Sequence, residues 1–211
     1  MSKIINFEEG WGFIQQGIKK LKNNLEGFHE TQFTADDYSL LYTTIYRMCS
    51  QKLPHDYSMI LYDKYKEVFE EYIKSTVLPS LRGKKDELLL RELVQRWSNQ
   101  KTMTRCLSRC FHYLDRYFIK RRGLNSLEET AFLSFYNLVY VEMHHQVMQT
   151  IIAMIDRKRA GGPIDEILIN NALNFYSEIG DRTGKTDPKH FAETFIKENA
   201  AIYSMSRLQI E

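Results

Sequence analysis

Apolar side chains recur along this chain at intervals of three and four, and no run alternates with period two. That rhythm predicts helices throughout and no sheet. Phe7, Trp11, Ile14, Ile18, Leu21 and Leu25 draw one apolar seam down a first helix. Asn6 with Glu9 is placed to cap its start. Thr34 with Asp37 offers the same device to a second helix, and Asp36 and Asp37 suit its positive end. A third helix is predicted over 57–78, with Leu61, Tyr65, Val68, Tyr72 and Ile73 inward and Pro79 ending or bending it. A fourth covers 86–97, burying Leu89, Leu90, Leu93 and Trp97, and a fifth covers 101–121. A long sixth helix runs over 126–159 behind a Ser126/Glu129 capping box. "AGGP" at 160–163 breaks the chain. Pro163 fits the first position of a seventh helix that stops at Gly180. Asp187 and Pro188 open a last one.

Two of these helices are unusually aromatic. In the second, Tyr38, Leu41, Tyr42, Ile45, Tyr46, Met48 and Cys49 fall within an arc of roughly 160°. In the fifth, Met103, Cys106, Leu107, Cys110, Phe111, Leu114, Tyr117 and Phe118 make the apolar side, with Tyr113 on its border and Arg105, Arg109, His112 and Arg116 opposite. Periodicity alone favours core for both stripes. An arc so wide also leaves room for division between a helix's own bundle and a partner. Tyrosine suits that division, because its ring buries area while its hydroxyl stays near water.

Composition narrows the function. With 211 residues and 43% hydrophobic content, the chain can form one large domain or two small ones. The net charge of +2 gives no mandate for nucleic acid or a membrane surface. The basic runs Lys19-Lys20-Lys22, Arg82-Lys84-Lys85 and Lys120-Arg121-Arg122 read as solvated helix rims or ends. Three cysteines make no disulfide framework. "MSKIINFEEG" lacks the apolar run of a signal peptide, and "FLSFYNLVYVEM" is too short and polar to span a bilayer. The expected location is therefore cytoplasm or nucleus.

Catalytic patterns fail one by one. "GDRTGKT" has three residues between its glycines where a P-loop needs four, and no strand precedes it. His144 and His145 are adjacent and point about 100° apart on a helix. Cys106 and Cys110 share a face but make only half a zinc site, with Cys49 and His112 as isolated further candidates; small apolar core residues are the favoured reading. No nucleophile elbow or glycine-rich phosphate cradle stands out. No cofactor or metal is expected, and nothing points to an enzyme.

The chain strongly resembles the N-terminal part of a cullin, most closely the plant cullins of Skp–cullin–F-box ubiquitin ligases. The resemblance is carried by "FEEGWGFIQQGIKKL" at 7–21, "YSLLYTTIYRMCSQKLPHDYSMILYDKY" at 38–65, "FEEYIKSTVLPSLR" at 69–82, "LLRELVQRWSNQKTM" at 89–103 and "YLDRYFIKRR" at 113–122. It continues more loosely through "NLVYVEM" at 137–143 and "IDRKRAGGPID" at 155–165. It implies an all-α fold of stacked five-helix cullin repeats, one complete repeat over 1–124 and part of a second over 125–211. It also implies a non-catalytic scaffold whose second and fifth helices dock a Skp-type adaptor with its F-box substrate receptor. The positions that correspond are Tyr38, Leu41, Tyr42, Ile45, Tyr46, Met103, Leu107, Phe111 and Tyr113.

Full cullins continue into a region that recruits a RING-box protein and accepts a ubiquitin-like modifier. "AIYSMSRLQIE" resembles part of the family's second repeat and stops inside what should be a helix. The expectation is a scaffold fragment with no RING-box partner: a piece of a cullin, a truncated paralogue competing with full cullins, or a drifted copy without a partner. The resemblance also implies bulkier aromatic side chains where Cys106 and Cys110 stand, and an aromatic one at His112.

Overall fold

The structure, a computed structural model, describes residues 4–28 and 32–185. All regular structure among them is helical. The helix expected from Asp187 onward lies outside the described residues. The chain divides into two compact units. Unit 1 comprises Met1–Tyr72 and Ser98–Ser134, and unit 2 comprises Ile73–Trp97 and Phe135–Glu211. This grouping differs from the division at 124/125 read from the sequence, because the chain passes between units inside continuous helical stretches rather than at a linker.

Unit 1 begins with α1 (Phe7–Leu25), where the Asn6 side chain accepts the Glu9 N–H at 2.8 Å, as the capping pattern predicts. Trp11, Ile14, Ile18 and Leu21 of the seam are buried. Phe7 is half-buried and meets the edge of the Tyr57 ring at 5.5 Å. α2 (Ala35–Cys49) starts with a complete capping box: Thr34 Oγ1 accepts the Asp37 N–H at 3.3 Å, and Asp37 Oδ2 accepts the Thr34 N–H at 2.7 Å.

The two helices approach closely at two glycines of α1. A Cβ on Gly10 would lie 2.3 Å from Met48 Sδ, and one on Gly17 would lie 2.7 Å from Leu41 Cδ2. Glycine costs a helix interior about 1 kcal/mol relative to alanine. Here it seats Leu41 and Met48 directly against the α1 backbone.

α3 (Ser58–Tyr72) runs on through a π-helical turn, Ile73–Val77, into α4 (Leu78–Arg82). Pro79, expected to end or bend the helix, lies in the first turn of α4: proline has no N–H to give to the preceding turn, and a wider turn stands just before it. α5 (Asp86–Cys110) corrects the two-helix reading of 86–97 and 101–121, since it is continuous through "SNQK". The polar residues there serve other segments instead of breaking their own helix. Asn99 Nδ2 donates to Leu25 O at 3.1 Å and Gln100 Nε2 to Ala131 O at 2.9 Å. The break falls at Phe111, followed by α6 (His112–Leu114), a π turn at Asp115–Ile119 and α7 (Lys120–Arg122). Gly123, at φ 63, closes that segment.

α8 (Leu127–Phe135) opens on the predicted capping pair, with the Glu129 N–H donated to Ser126 Oγ at 3.2 Å and the Ser126 N–H donated to Glu129 Oε2 at 3.3 Å. It continues through a π turn, Tyr136–Tyr140, into α9 (Val141–Arg159). In unit 2, Trp97 sits among the rings of Phe135 and Phe175 at 5.3 and 5.2 Å, and its Nε1 donates to Glu178 Oε2 at 2.7 Å. α10 (Glu166–Thr183) departs from expectation at both ends. Asp165, not Pro163, sets its start, because the Asp165 carboxylate accepts the Leu168 N–H at 2.9 Å. The helix passes through buried Gly180 and ends at Gly184, whose φ of 61 suits a left-handed cap.

Two outcomes follow for stability. Gly17→Val places a branched side chain where Leu41 already lies, so urea denaturation should show a loss of about 1–3 kcal/mol. Asp37 is held low, at about 2 against an ordinary 3.8, first by the hydrogen bond from Lys20 and then by those from Thr34. A depressed carboxylate stabilises the fold above its unfolded value and loses that contribution as pH falls through the folded one. In Asp37→Asn, the part of the acid destabilisation between pH 3.8 and about 2 should be diminished in a pH series of melting temperatures.

Candidate partner-docking surface

The anchoring of α2 against α1 divides the aromatic arc. Leu41 and Ile45 are 2% and 0% exposed, whereas Tyr38 and Tyr46 are 36% and 44% exposed and Tyr42 is half-buried. On the second segment Met103, Leu107 and Phe111 are buried at 0%, 0% and 1%, and Tyr113 is half-buried. Five of the nine positions assigned to docking, Leu41, Ile45, Met103, Leu107 and Phe111, are thus core of unit 1. The physical reason is phase. Inward positions of α2 follow the glycine seats at Leu41 and Met48, and the tyrosines stand about one 100° step away. Phe111 turns inward onto the Tyr65 ring, 5.3 Å away in a T-shaped contact.

The tyrosines left outside form a continuous ladder. Tyr38 stacks on Tyr42 and Tyr42 on Tyr46, each at 6.5 Å between centroids and within 18° of parallel. Tyr46 meets the Tyr113 ring edge-on at 5.3 Å, and Tyr113 leans on Tyr117 at 4.8 Å. Five rings from two distant stretches therefore share one run. Tyr117, on the apolar side of the fifth helix by periodicity, is 43% exposed. The Asp115–Ile119 π turn shifts the phase of the residues within it, a change that periodicity at 100° per residue does not register. The Arg116 guanidinium lies 5.4 Å from the Tyr117 ring centroid and shields its end of the run. At the other end the Tyr38 hydroxyl donates to Arg109 O at 3.4 Å. Burial raises the Tyr113 hydroxyl's pKa above the ordinary tyrosine value.

Two recesses flank the ladder. One, of about 800 Å³, is lined by Phe33, Tyr38, Tyr42, Arg105, Arg109 and His112 among others. The other, of about 680 Å³, lies by Tyr46 and Arg47 with Gln51, Leu53 and His55. There Gln51 straps the N-terminal stretch in place: its Oε1 accepts the Ile5 N–H at 2.7 Å, and its Nε2 donates to Ile5 O and His55 O, each at 3.0 Å. Leu53, 85% exposed, stands at the rim.

No group of three or more His, Cys, Asp or Glu side chains able to hold a metal ion occurs among the described residues. Burial pushes the thiols of Cys49 and Cys110 up to about 12 and raises that of Cys106, so all three stay protonated at neutral pH. No helix of the described residues is long and apolar enough to cross a membrane.

The architecture is that of a helical-repeat protein presenting an aromatic surface. The sequence matches the family Cullin, described as the cullin alpha solenoid domain, over residues 18–210. It is 54% identical to Cullin-1 of Oryza sativa subsp. japonica over 198 residues, 94% of this chain and 27% of that protein. It is 44% identical to putative cullin-like protein 2 of Arabidopsis thaliana over 202 residues, 95% of this chain and 54% of that protein. It is 40% identical to cullin-like protein 3 of the same plant over 200 residues, 95% of this chain and 77% of that protein. The chain belongs to the cullin family, and it spans about a quarter of the rice relative's length.

Core and surface positions should separate cleanly on substitution. Phe111→Ala should cost about 3–5 kcal/mol in urea denaturation. Tyr46→Ala, on the exposed ladder, should cost about 1 kcal/mol.

Proposed function

We propose that this chain is the adaptor-binding part of a cullin-type ubiquitin ligase scaffold, docking a Skp-type adaptor with its F-box substrate receptor. The observation that carries the reading is the tyrosine ladder. Tyr38, Tyr42, Tyr46, Tyr113 and Tyr117 are exposed or half-buried, mutually packed and drawn from two separated chain segments. Exposed rings of this kind dominate binding energy at protein interfaces, since each buries a large area at small entropic cost. Membership of the cullin family supports the identity of the partner. The positions in contact with it are the tyrosines, while Leu41, Ile45, Met103, Leu107 and Phe111 act beneath them by fixing their orientation.

In this reading the chain brings proteins together and contributes no reacting group. It works where adaptor and receptor are found, in cytoplasm or nucleus. The adaptor covers the ladder and the rims of both recesses, an area in keeping with a standard interface of about 1,600 Å² in total.

Tyr42→Ala/Tyr46→Ala should weaken binding to a purified adaptor–F-box complex by about 2 kcal/mol, roughly 30-fold, in isothermal titration. Circular dichroism should show the helical fold of the double variant intact. Equal affinity of wild type and the double variant would reject the reading, as would a folded wild-type chain that binds no Skp-type adaptor.

A further inference from the structure

The arginines of α5 fall into two sets. In the unit 2 half, Arg91 Nη2 lies 2.6 Å from Glu87 Oε1 and 2.8 Å from Asp165 Oδ2, and Arg96 Nε lies 2.6 Å from Glu92 Oε1. In the unit 1 half, Arg105 and Arg109 form no ion pair with any described residue. Both are exposed, and both line the groove of about 800 Å³ beside the ladder. No carboxylate is among the described residues that line that groove. Of the two acidic side chains in the first turn of α2, Asp37 is already engaged, pairing with Lys20 at 2.7 Å and closing the capping box, and Asp36 is exposed and forms no ion pair with either arginine.

Two like charges four residues apart on a helix repel, and nothing inside the described residues relieves them. His112, three residues further on, adds an exposed imidazole to the same wall. Guanidinium groups match carboxylates in pairs of parallel hydrogen bonds. Phe33, Tyr38 and Tyr42 supply apolar wall alongside. Tyr38 and Tyr42 also belong to the ladder, so whatever covers the ladder reaches the groove.

We propose that this groove takes an acidic segment of the docked adaptor, with Arg105 and Arg109 pairing to its carboxylates and Phe33, Tyr38 and Tyr42 receiving an adjoining apolar side chain. The inference rests on the adaptor-docking reading above. Being exposed, the arginines act mainly on encounter: they draw the acidic surface in and set its register, an effect that salt screens.

The test is the association rate of a purified Skp-type adaptor–F-box complex at ionic strengths from about 50 to about 500 mM. Wild type is compared with Arg105→Gln/Arg109→Gln, Arg105→Glu/Arg109→Glu and Tyr42→Ala/Tyr46→Ala. At low salt the Gln pair should slow association about threefold and the Glu pair about tenfold, both converging on wild type as salt rises. The tyrosine pair should instead speed dissociation at every salt concentration. Arginine variants that match wild type at low salt, while the tyrosine pair still weakens binding, would overturn this inference and leave the docking reading standing. Absence of adaptor binding by wild type would overturn both. Aromatic rings beside arginines also suit single-stranded nucleic acid. A fluorescent single-stranded oligonucleotide that binds at physiological salt, is lost in the Gln pair and displaces the adaptor would overturn the assignment to an acidic protein segment.

Discussion

The closeness of α1 and α2 at two glycines decides which way α2 faces. Gly10 and Gly17 leave backbone bare where Met48 and Leu41 press against it. A helix has only one rotation about its axis to choose. Once Leu41 and Met48 are seated, with Ile45 between them, Tyr38, Tyr42 and Tyr46 must stand to the side. A larger residue at either seat would move α2 outward or turn it, and the three rings would move together. The apolar contact that stabilises unit 1 is therefore also the contact that aims its surface.

The other half of the ladder depends on a second constraint. α5 stops at Phe111, whose ring is held in the core against Tyr65. The π turn that follows brings Tyr113 and Tyr117 alongside Tyr46. Asp115, within that turn, accepts the Leu127 N–H at 3.1 Å at the start of α8 and so ties the segment down. Burial raises its pKa, and the Leu127 hydrogen bond opposes that rise. Each tyrosine of the ladder is thus backed by a buried neighbour on its own segment.

Much of this was legible in the sequence, and what escaped has physical causes. The caps at Asn6, Thr34 and Ser126 and the seam of α1 follow from local hydrogen bonding and periodicity, which a sequence displays directly. The continuity of α5 does not, because the polar Asn99 and Gln100 interrupt its apolar pattern, and the distant acceptors that let them be buried, Leu25 O and Ala131 O, are not visible in the sequence. Periodicity revealed that the aromatic arc was too wide for one contact. It could not say which part lay inward, since Leu41 and Tyr42 differ by a single step and the choice is made by α1. Tyr117 was misplaced for a related reason: a π turn resets the count.

The ladder's own packing bears on how well it can bind. A lone exposed tyrosine loses rotamer freedom when a partner traps it, and that loss subtracts from the affinity gained. Here Tyr42 is stacked on both sides, and Tyr46 is held between Tyr42 and the edge of Tyr113. Much of the ordering has been completed during folding. Leucine or isoleucine in the same places would offer apolar area without hydroxyls to keep the free surface hydrated. Tyrosine meets both demands, and the arginines beside it, which pair with no carboxylate among the described residues, extend the principle to charge in the proposed docking: rings already ordered would hold the partner, and exposed cations already in place would hasten its arrival.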